Sequence, residues 1–256
     1  MKYIGGKSRV AKHIAEFIVS YLSLSEKSIT GRYFEPFVGG GSMAAEMGHR
    51  FDEAHYSDMH PDLTLLWSLL LSDGGESLDV LPDHVSEDEY QALRNDPSSA
   101  VRGFVGFTCS FGAKWFGGYA RGGARNYASE GKRGLGKKIP GMLAKVQTTT
   151  RQSSYSDLSL TLKPGDVVYC DPPYAKTQSY STGAFDHETF WKTVTLWAQS
   201  GVHVFVSEYV APDPDTEDTH EWVSVWEREQ ATTLSKTDYK KAVERLFVYM
   251  PKPISE

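Results

Sequence analysis

The sequence predicts an α/β fold whose body is split by a helical insertion, and three observations carry that reading. Residues 32–71 run strand, glycine turn, helix, strand, acid, helix, which is a βαβα beginning. From about residue 61 to 150 no strand alternation appears, while helix signals recur. Near Tyr155 the α/β pattern resumes, and the apolar run Val167-Val168-Tyr169-Cys170 is cut off by Asp171-Pro172-Pro173-Tyr174.

Each element has its own warrant. Val10, Ile14, Phe17, Ile18, Tyr21 and Leu22 recur at helical spacing, so a helix is expected over about 8–22. Arg32–Pro36 reads as a first strand, Phe37–Ser42 as a glycine turn and Met43–Met47 as a short helix. His55–Asp58 is a second strand ending on an acid, and Pro61–Leu71 a helix with proline near its start. Ser86-x-x-Glu89 is a capping box for a helix to about Asn95, and a second helix is expected over Ser98–Phe107. Gly112–Gly136 reads as a glycine-rich basic tract, with a short helix after it near Gly141–Gln147. Asp186 caps a helix with inner face Phe190, Val194, Trp197 and Ala198. Val202–Val206 is an apolar strand, and Trp222–Trp226 and Leu246–Met250 are two closing strands. Residues 1–60 and 151–256 are thus expected to make one catalytic body, with 61–150 inserted as a separate lobe.

With 256 residues, 40% of them hydrophobic, the chain can bury one large core and a smaller lobe. Two cysteines, Cys109 and Cys170, make no disulfide framework and are expected to be reduced core residues of a cytoplasmic protein. Ile14–Val19 is too short and too charged for a signal peptide, and no apolar run approaches a membrane span. Net charge is −6, yet residues 102–151 hold ten Lys and Arg against one acid, Glu130. That segment carries +9 on a remainder of −15. A basic stretch interleaved with aromatics and glycines suits a polyanion such as nucleic acid. Lys114, Trp115, Tyr119, Arg121, Arg125, Lys132, Arg133, Lys137 and Lys138 are its candidate contacts, although a solvated surface loop has the same composition.

Two prolines after a strand stop it, because proline lacks the N–H a ladder needs, and they stiffen the backbone beyond the strand end. Asp171 and Tyr174 therefore sit on a rigid loop at the carboxyl end of a strand, the edge where open α/β sheets bind ligands. A carboxylate beside a ring suits a flat group bearing an amine. Taken alone, the residues also fit an ordinary capped Pro-Pro turn. Glu35-Pro36-Phe37-Val38-Gly39-Gly40-Gly41-Ser42 lacks both the dinucleotide spacing and the Lys-Ser/Thr of a phosphate loop. Asp58 lies 19 residues after Gly39, where an acid can accept ribose hydroxyls. A nucleoside without phosphates fits, and S-adenosylmethionine is such a ligand. Tyr3-Ile4-Gly5-Gly6-Lys7 would lie against it, with Lys7 pairing its carboxylate or a nearby acid. His49, His55 and His60 have no zinc-site spacing, so no metal is expected.

These motifs, in this order, resemble the Dam-type DNA adenine-N6 methyltransferases of bacteria and their phages. The resemblance rests on Tyr3-x-Gly-Gly-Lys7, Phe34-Glu35-Pro36-Phe37-x-Gly39-x-Gly41-Ser42, Tyr56-Ser57-Asp58, Asp171-Pro172-Pro173-Tyr174 and Phe247-x-Tyr249. It implies a Rossmann-like S-adenosylmethionine-dependent methyltransferase sheet with an inserted, mainly helical DNA-recognition lobe. By that resemblance Tyr3, Lys7, Asp58 and Asp171 shape the cofactor pocket. Glu35, Pro36, Phe37, Gly39, Gly41 and Ser42 wrap the methionine part. Asp171 and the Pro172 carbonyl accept hydrogen bonds from the adenine amino group, Pro173 stiffens the loop, and Tyr174 stacks on the flipped base. Double-stranded DNA is the implied partner, met by a monomer or weak dimer, with restriction-modification among the implied settings. Cys109–Arg121 departs from the Asn- and Arg-containing recognition segment of such enzymes, so a GATC target does not carry over and relaxed or different specificity is open. The same chemistry on RNA or a protein amide, or a non-catalytic DNA-binding relic, are the competing readings.

Overall fold

The computed structural model describes residues 1, 3, 5–24, 31–174, 185–215, 217–233 and 239–252. They form two compact units, Met1–Tyr155 and Ser156–Glu256.

In the first unit the Lys7 carbonyl accepts the N–H groups of Val10 and Ala11, both at 2.8 Å, and starts α1 (Ala11–Leu24). Its buried face is Ile14, Ile18 and Leu22, at the predicted spacing. Then come β1 (Arg32–Glu35), α2 (Ser42–Met47), β2 (Glu53–Asp58) and α3 (Pro61–Ser72). The capping box at Ser86 forms as expected and opens α4 (Glu87–Arg94), with Glu89 N donating to Ser86 Oγ at 3.2 Å and Ser86 N to Glu89 Oε2 at 2.7 Å. Ser99 caps α5 (Ala100–Thr108), and Asn126 caps α6 (Tyr127–Met142). Last is β3 (Gln147–Gln152), which pairs in parallel with β2, as β2 does with β1.

Two elements differ from the sequence reading. The second half of the glycine-rich tract, from Tyr127, is helical and runs on through Met142 as α6, 16 residues long, so the separate helix expected near Gly141–Gln147 does not form. Its glycines are contact points rather than breakers. A Cβ on Gly131 would lie 2.2 Å from Thr108 Cγ2, and one on Gly141 1.9 Å from the Ala45 carbonyl oxygen. Pro140 falls in the last turn, and the helix ends two residues later. The second difference is β3, whose sequence Gln-Thr-Thr-Thr-Arg-Gln has no apolar alternation to betray it. β-branched threonines suit a strand, and partial exposure removes the need for an apolar face.

A buried ion pair ties α3 to α5. Asp62, 1% exposed, accepts from Arg102 Nη1 at 2.8 Å and from Ser99 N at 2.9 Å. Removing one partner of such a pair typically costs about 3–5 kcal/mol, since the other charge is left buried and uncompensated. Beside it His60 is buried against the rings of Trp115 (4.2 Å) and Phe107 (5.2 Å).

The second unit opens with β4 (Val167–Cys170), buried at every position. Asp186 caps α7 (His187–Gln199) by accepting the Thr189 N–H at 3.0 Å. Phe190, Trp191, Val194 and Trp197 are its buried residues. β5 (His203–Glu208) runs parallel to β4, while β7 (Tyr239–Pro251) is antiparallel to β5 and carries β6 (His220–Thr233) outside it. Parallel strands with intervening helices and an antiparallel closing pair are the Rossmann-like α/β fold that the sequence predicts. Cys109 and Cys170 are both buried and free, and burial pushes the Cys109 thiol up to about 12.

Burial lowers His60 from its ordinary value to about 4. Below pH about 6.5 the unfolded chain then takes up a proton that the folded chain refuses until pH about 4. Stability should therefore fall as pH drops through that window, by on the order of 2–3 kcal/mol from this group. Denaturant titrations of wild type and His60→Phe at pH 7, 5.5 and 4.5 check this, and equal pH slopes would rule His60 out as the source.

Candidate active site

The loop from β1 into α2 is held by rings. Gly39 and Gly41 have left-handed backbone, φ +44° and +64°. A Cβ on Gly39 would lie 2.8 Å from the Tyr3 ring, and one on Gly41 2.6 Å from the Trp67 ring. The space left by these glycines is used by the protein's own aromatics, where the sequence suggested close approach of a ligand. Trp67 Nε1 donates to the Gly39 carbonyl at 2.9 Å, and Phe37 stacks on Tyr155 with centroids 5.6 Å apart.

Asp58, at the end of β2, meets this loop directly. Its Oδ2 accepts the Gly39 N–H and its Oδ1 the His60 N–H, both at 2.9 Å. Burial raises the Asp58 carboxyl above its ordinary value, and those backbone donors pull it back. Glu35 and Lys7 are also buried, at 2% and 6% exposure, and Tyr33 OH donates to Glu35 Oε2 at 2.9 Å. Pro36 is buried and Ser42 opens α2. Tyr3, Gly39, Gly41 and Asp58 are thus brought into one cluster.

The expected basic contacts separate into three groups. Lys138 does not face outward. Its ammonium donates to the Gly40 carbonyl and, at 3.0 Å, to Ser42 Oγ. Burial pushes it down to about 8, opposed by the Glu35 carboxylate. Lys138 therefore leaves the outward set, because its donors are engaged on the glycine loop. Arg121, Arg125 and Lys132 are engaged by acids: Glu87, Glu130, and Asp79 with Asp83. Arg133 and Lys137 are exposed one turn apart on α6, and neither has an ion pair among the described residues. Lys114 is exposed. Trp115 packs on Phe107, Phe116 and His60 under the Arg102 guanidinium, and Tyr119 OH donates to the Val85 carbonyl at 2.7 Å. Phe111, beside them, is 74% exposed. A cavity of about 480 Å³ opens between Tyr3, Arg9, Ser42, Thr108 and Phe111, and the buried Thr108 hydroxyl has no hydrogen-bond partner among the described residues.

In the second unit Asp171–Tyr174 comes directly after the buried β4, with Pro172 buried and Asp171, Pro173 and Tyr174 half-buried. Tyr174 OH donates to Glu244 Oε1, and its ring meets Tyr209 edge-on at 4.6 Å. Burial, with the Asp171 and Glu244 carboxylates adding to it, raises the Tyr174 phenol well above its ordinary value. Glu244 lies on β7 and is 5% exposed. Sequence reasoning missed it. The available signal was a charge in phase with Leu246 and Val248, the buried face of that strand.

The sequence matches the family described as D12 class N6 adenine-specific DNA methyltransferase over residues 3–102 and 122–232. No curated protein matches the chain. Solved structures that resemble it include HI0767 from Haemophilus influenzae, at 12% identity and TM-score 0.37, covering 92% of this chain and 87% of that one. Another is the rRNA methyltransferase aviRa from Streptomyces viridochromogenes, at 13% identity and TM-score 0.45, covering 98% and 88%. A third is TrmN from Thermus thermophilus, at 10% identity and TM-score 0.34, covering 93% and 49%.

Glu244→Leu removes the acceptor that fixes the Tyr174 ring. A hydrogen bond to a charged group is worth enough that turnover should fall about 10-fold or more. Glu244→Gln, which keeps an acceptor, should lose less. Steady-state kinetics on variants with wild-type circular dichroism check this, and unchanged turnover in Glu244→Leu removes the residue from the site.

Proposed function

Because the chain belongs to the D12 class N6 adenine-specific DNA methyltransferase family, we propose that it moves the methyl group of S-adenosylmethionine to N6 of an adenine flipped out of duplex DNA. The observation that carries this reading is the Asp171–Tyr174 loop at the carboxyl end of β4, with its tyrosine fixed by Glu244 and Tyr209.

A duplex hides N6, so the base must leave the stack at a cost of a few kcal/mol. Stacking on the Tyr174 face offsets about 1–3 kcal/mol of that. The N6 lone pair is delocalised into the ring and attacks poorly. Asp171 and the Pro172 carbonyl, accepting its two N–H groups, draw it toward tetrahedral geometry and stabilise the positive charge that develops. Pro172 and Pro173 keep these acceptors in place, so little reorganisation is needed as the charge appears.

The residues of the first unit fit the methyl donor. Asp58 has about four carboxylate lone-pair positions, and with the backbone N–H groups of Gly39, His60 and Met59 directed at it an acceptor is left for a ribose hydroxyl. The buried carboxylate of Glu35 and the loop to Ser42 suit the cationic methionine end. When bound, S-adenosylmethionine would supply an already electrophilic methyl group on sulfur and leave as the thioether S-adenosylhomocysteine, while N6 gives up one proton to solvent. The chain's part is orientation for in-line transfer.

Arg133 and Lys137 on α6 form the phosphate-facing edge of the lobe, joined by Lys114. Arg121, Arg125 and Lys132 are recruitable there too, since exposed ion pairs are worth little and a phosphate can replace the carboxylate. Phe111, whose ring is exposed, would stack or wedge at the duplex in this reading.

Labelled S-adenosylmethionine offered with duplex DNA, structured RNA and protein tests the reading. Label should enter duplex DNA as N6-methyladenine, and label in RNA alone would sink the proposal. Calorimetry separates enzyme from relic, because DNA binding without donor binding would end the enzyme reading. Asp171→Ala should abolish transfer and leave most DNA affinity, which phosphate contacts dominate. Loss of both would point to misfolding. Neutralising Arg133 and Lys137 together should weaken DNA binding and reduce the log–log salt slope by about 2. An unchanged slope excludes that edge.

A further inference from the structure

Helix α6 belongs to two places at once. Its exposed Arg133 and Lys137 lie on the lobe's surface, while its last two turns are fused to the glycine loop and α2. Tyr56 OH donates to the Met142 carbonyl at 2.7 Å, and Gly141 backs onto Ala45. Within that contact Lys138 has two acceptors, both on the loop. One is the Gly40 carbonyl, between the two left-handed glycines, and the other is Ser42 Oγ at the mouth of α2.

A surface lysine would not be placed this way without a reason. Burying an ammonium is costly unless its donors are used. Both acceptors belong to the segment between β1 and α2, whose backbone includes the Gly39 N–H that meets Asp58. Moving Gly40 would move that N–H with it. We propose that Lys138 is a positioning residue for the donor-binding loop, through which the recognition-lobe helix sets the loop's shape. The inference rests on the proposed binding of S-adenosylmethionine to this loop. It assigns Lys138 no contact with the donor or with the base. Because Arg133 and Lys137 sit on the same helix, a phosphate load on α6 and donor binding should favour each other, and such a coupling must be reciprocal.

The test is calorimetry and steady-state kinetics on wild type, K138M, S42A and the double variant, with and without a short DNA duplex. Losing a charged hydrogen-bond donor should raise the Kd and KM for S-adenosylmethionine about 10-fold in K138M, with kcat changed far less. In wild type the duplex should tighten donor binding, and in K138M that gain should disappear. S42A should weaken donor binding in the wild-type background and have little effect on top of K138M. If K138M melts far below wild type, K138Q takes its place with the same readouts. Wild type that binds no donor would overturn the donor reading and this inference together. Wild type that binds, with a folded K138M of unchanged Kd and KM, would overturn this inference alone. So would additive effects of S42A and K138M, or a kcat loss at constant KM.

Discussion

Gly39 and Gly41 hold left-handed backbone, and the Tyr3 and Trp67 rings occupy the places where their Cβ atoms would be. An L-residue side chain there would meet both an unfavourable φ and a ring, so the loop has one composition open to it. Much of the first unit is arranged around this constraint. Trp67 comes from α3 and reaches the Gly39 carbonyl, which fixes where α3 lies. Asp58 accepts the Gly39 N–H, which fixes the end of β2. Lys138, on α6, donates to the Gly40 carbonyl and to Ser42 Oγ. A short turn thereby sets the relation of two helices and a strand end.

The lobe is built differently from a surface loop carrying charges. Its aromatics are mostly turned inward, with Trp115 on Phe107 and His60, and Tyr90 on Phe116 and Tyr119. Most of its candidate basic side chains are already paired or buried. Arg133 and Lys137 are exposed without an ion pair among the described residues, and the ring of Phe111 is exposed as well. Composition had suggested a broad basic surface. Arg121, Arg125 and Lys132 are instead paired with acids.

The Asp171–Tyr174 loop shows the same economy. Asp171–Tyr174 extends from a strand with no exposed residue, so its anchor is rigid. Glu244 on β7 then accepts the hydroxyl of Tyr174, the one aromatic side chain of the loop. A carboxylate buried at 5% exposure is costly in a strand core unless it is hydrogen-bonded, and the Tyr174 hydroxyl supplies that bond.

The sequence alone determined the α/β class, β4 to the residue, the capping box at Ser86, the cap at Asp186 and the motif order that names the family. Those features are local: a run of apolar residues, a proline, a side chain three positions from the N–H it caps. The sequence misled about α6, because glycines look like breakers until Thr108 and Ala45 are seen pressing against them. It hid β3, whose polar face needs no burial. It put Lys138 with the outward lysines and gave no sign of Glu244. Only the tertiary structure decided these, because each depends on a partner far along the chain: Gly40 for Lys138, Tyr174 for Glu244. Periodicity and spacing report what a residue's neighbours in sequence require. They do not report which distant acceptor a buried charge has found.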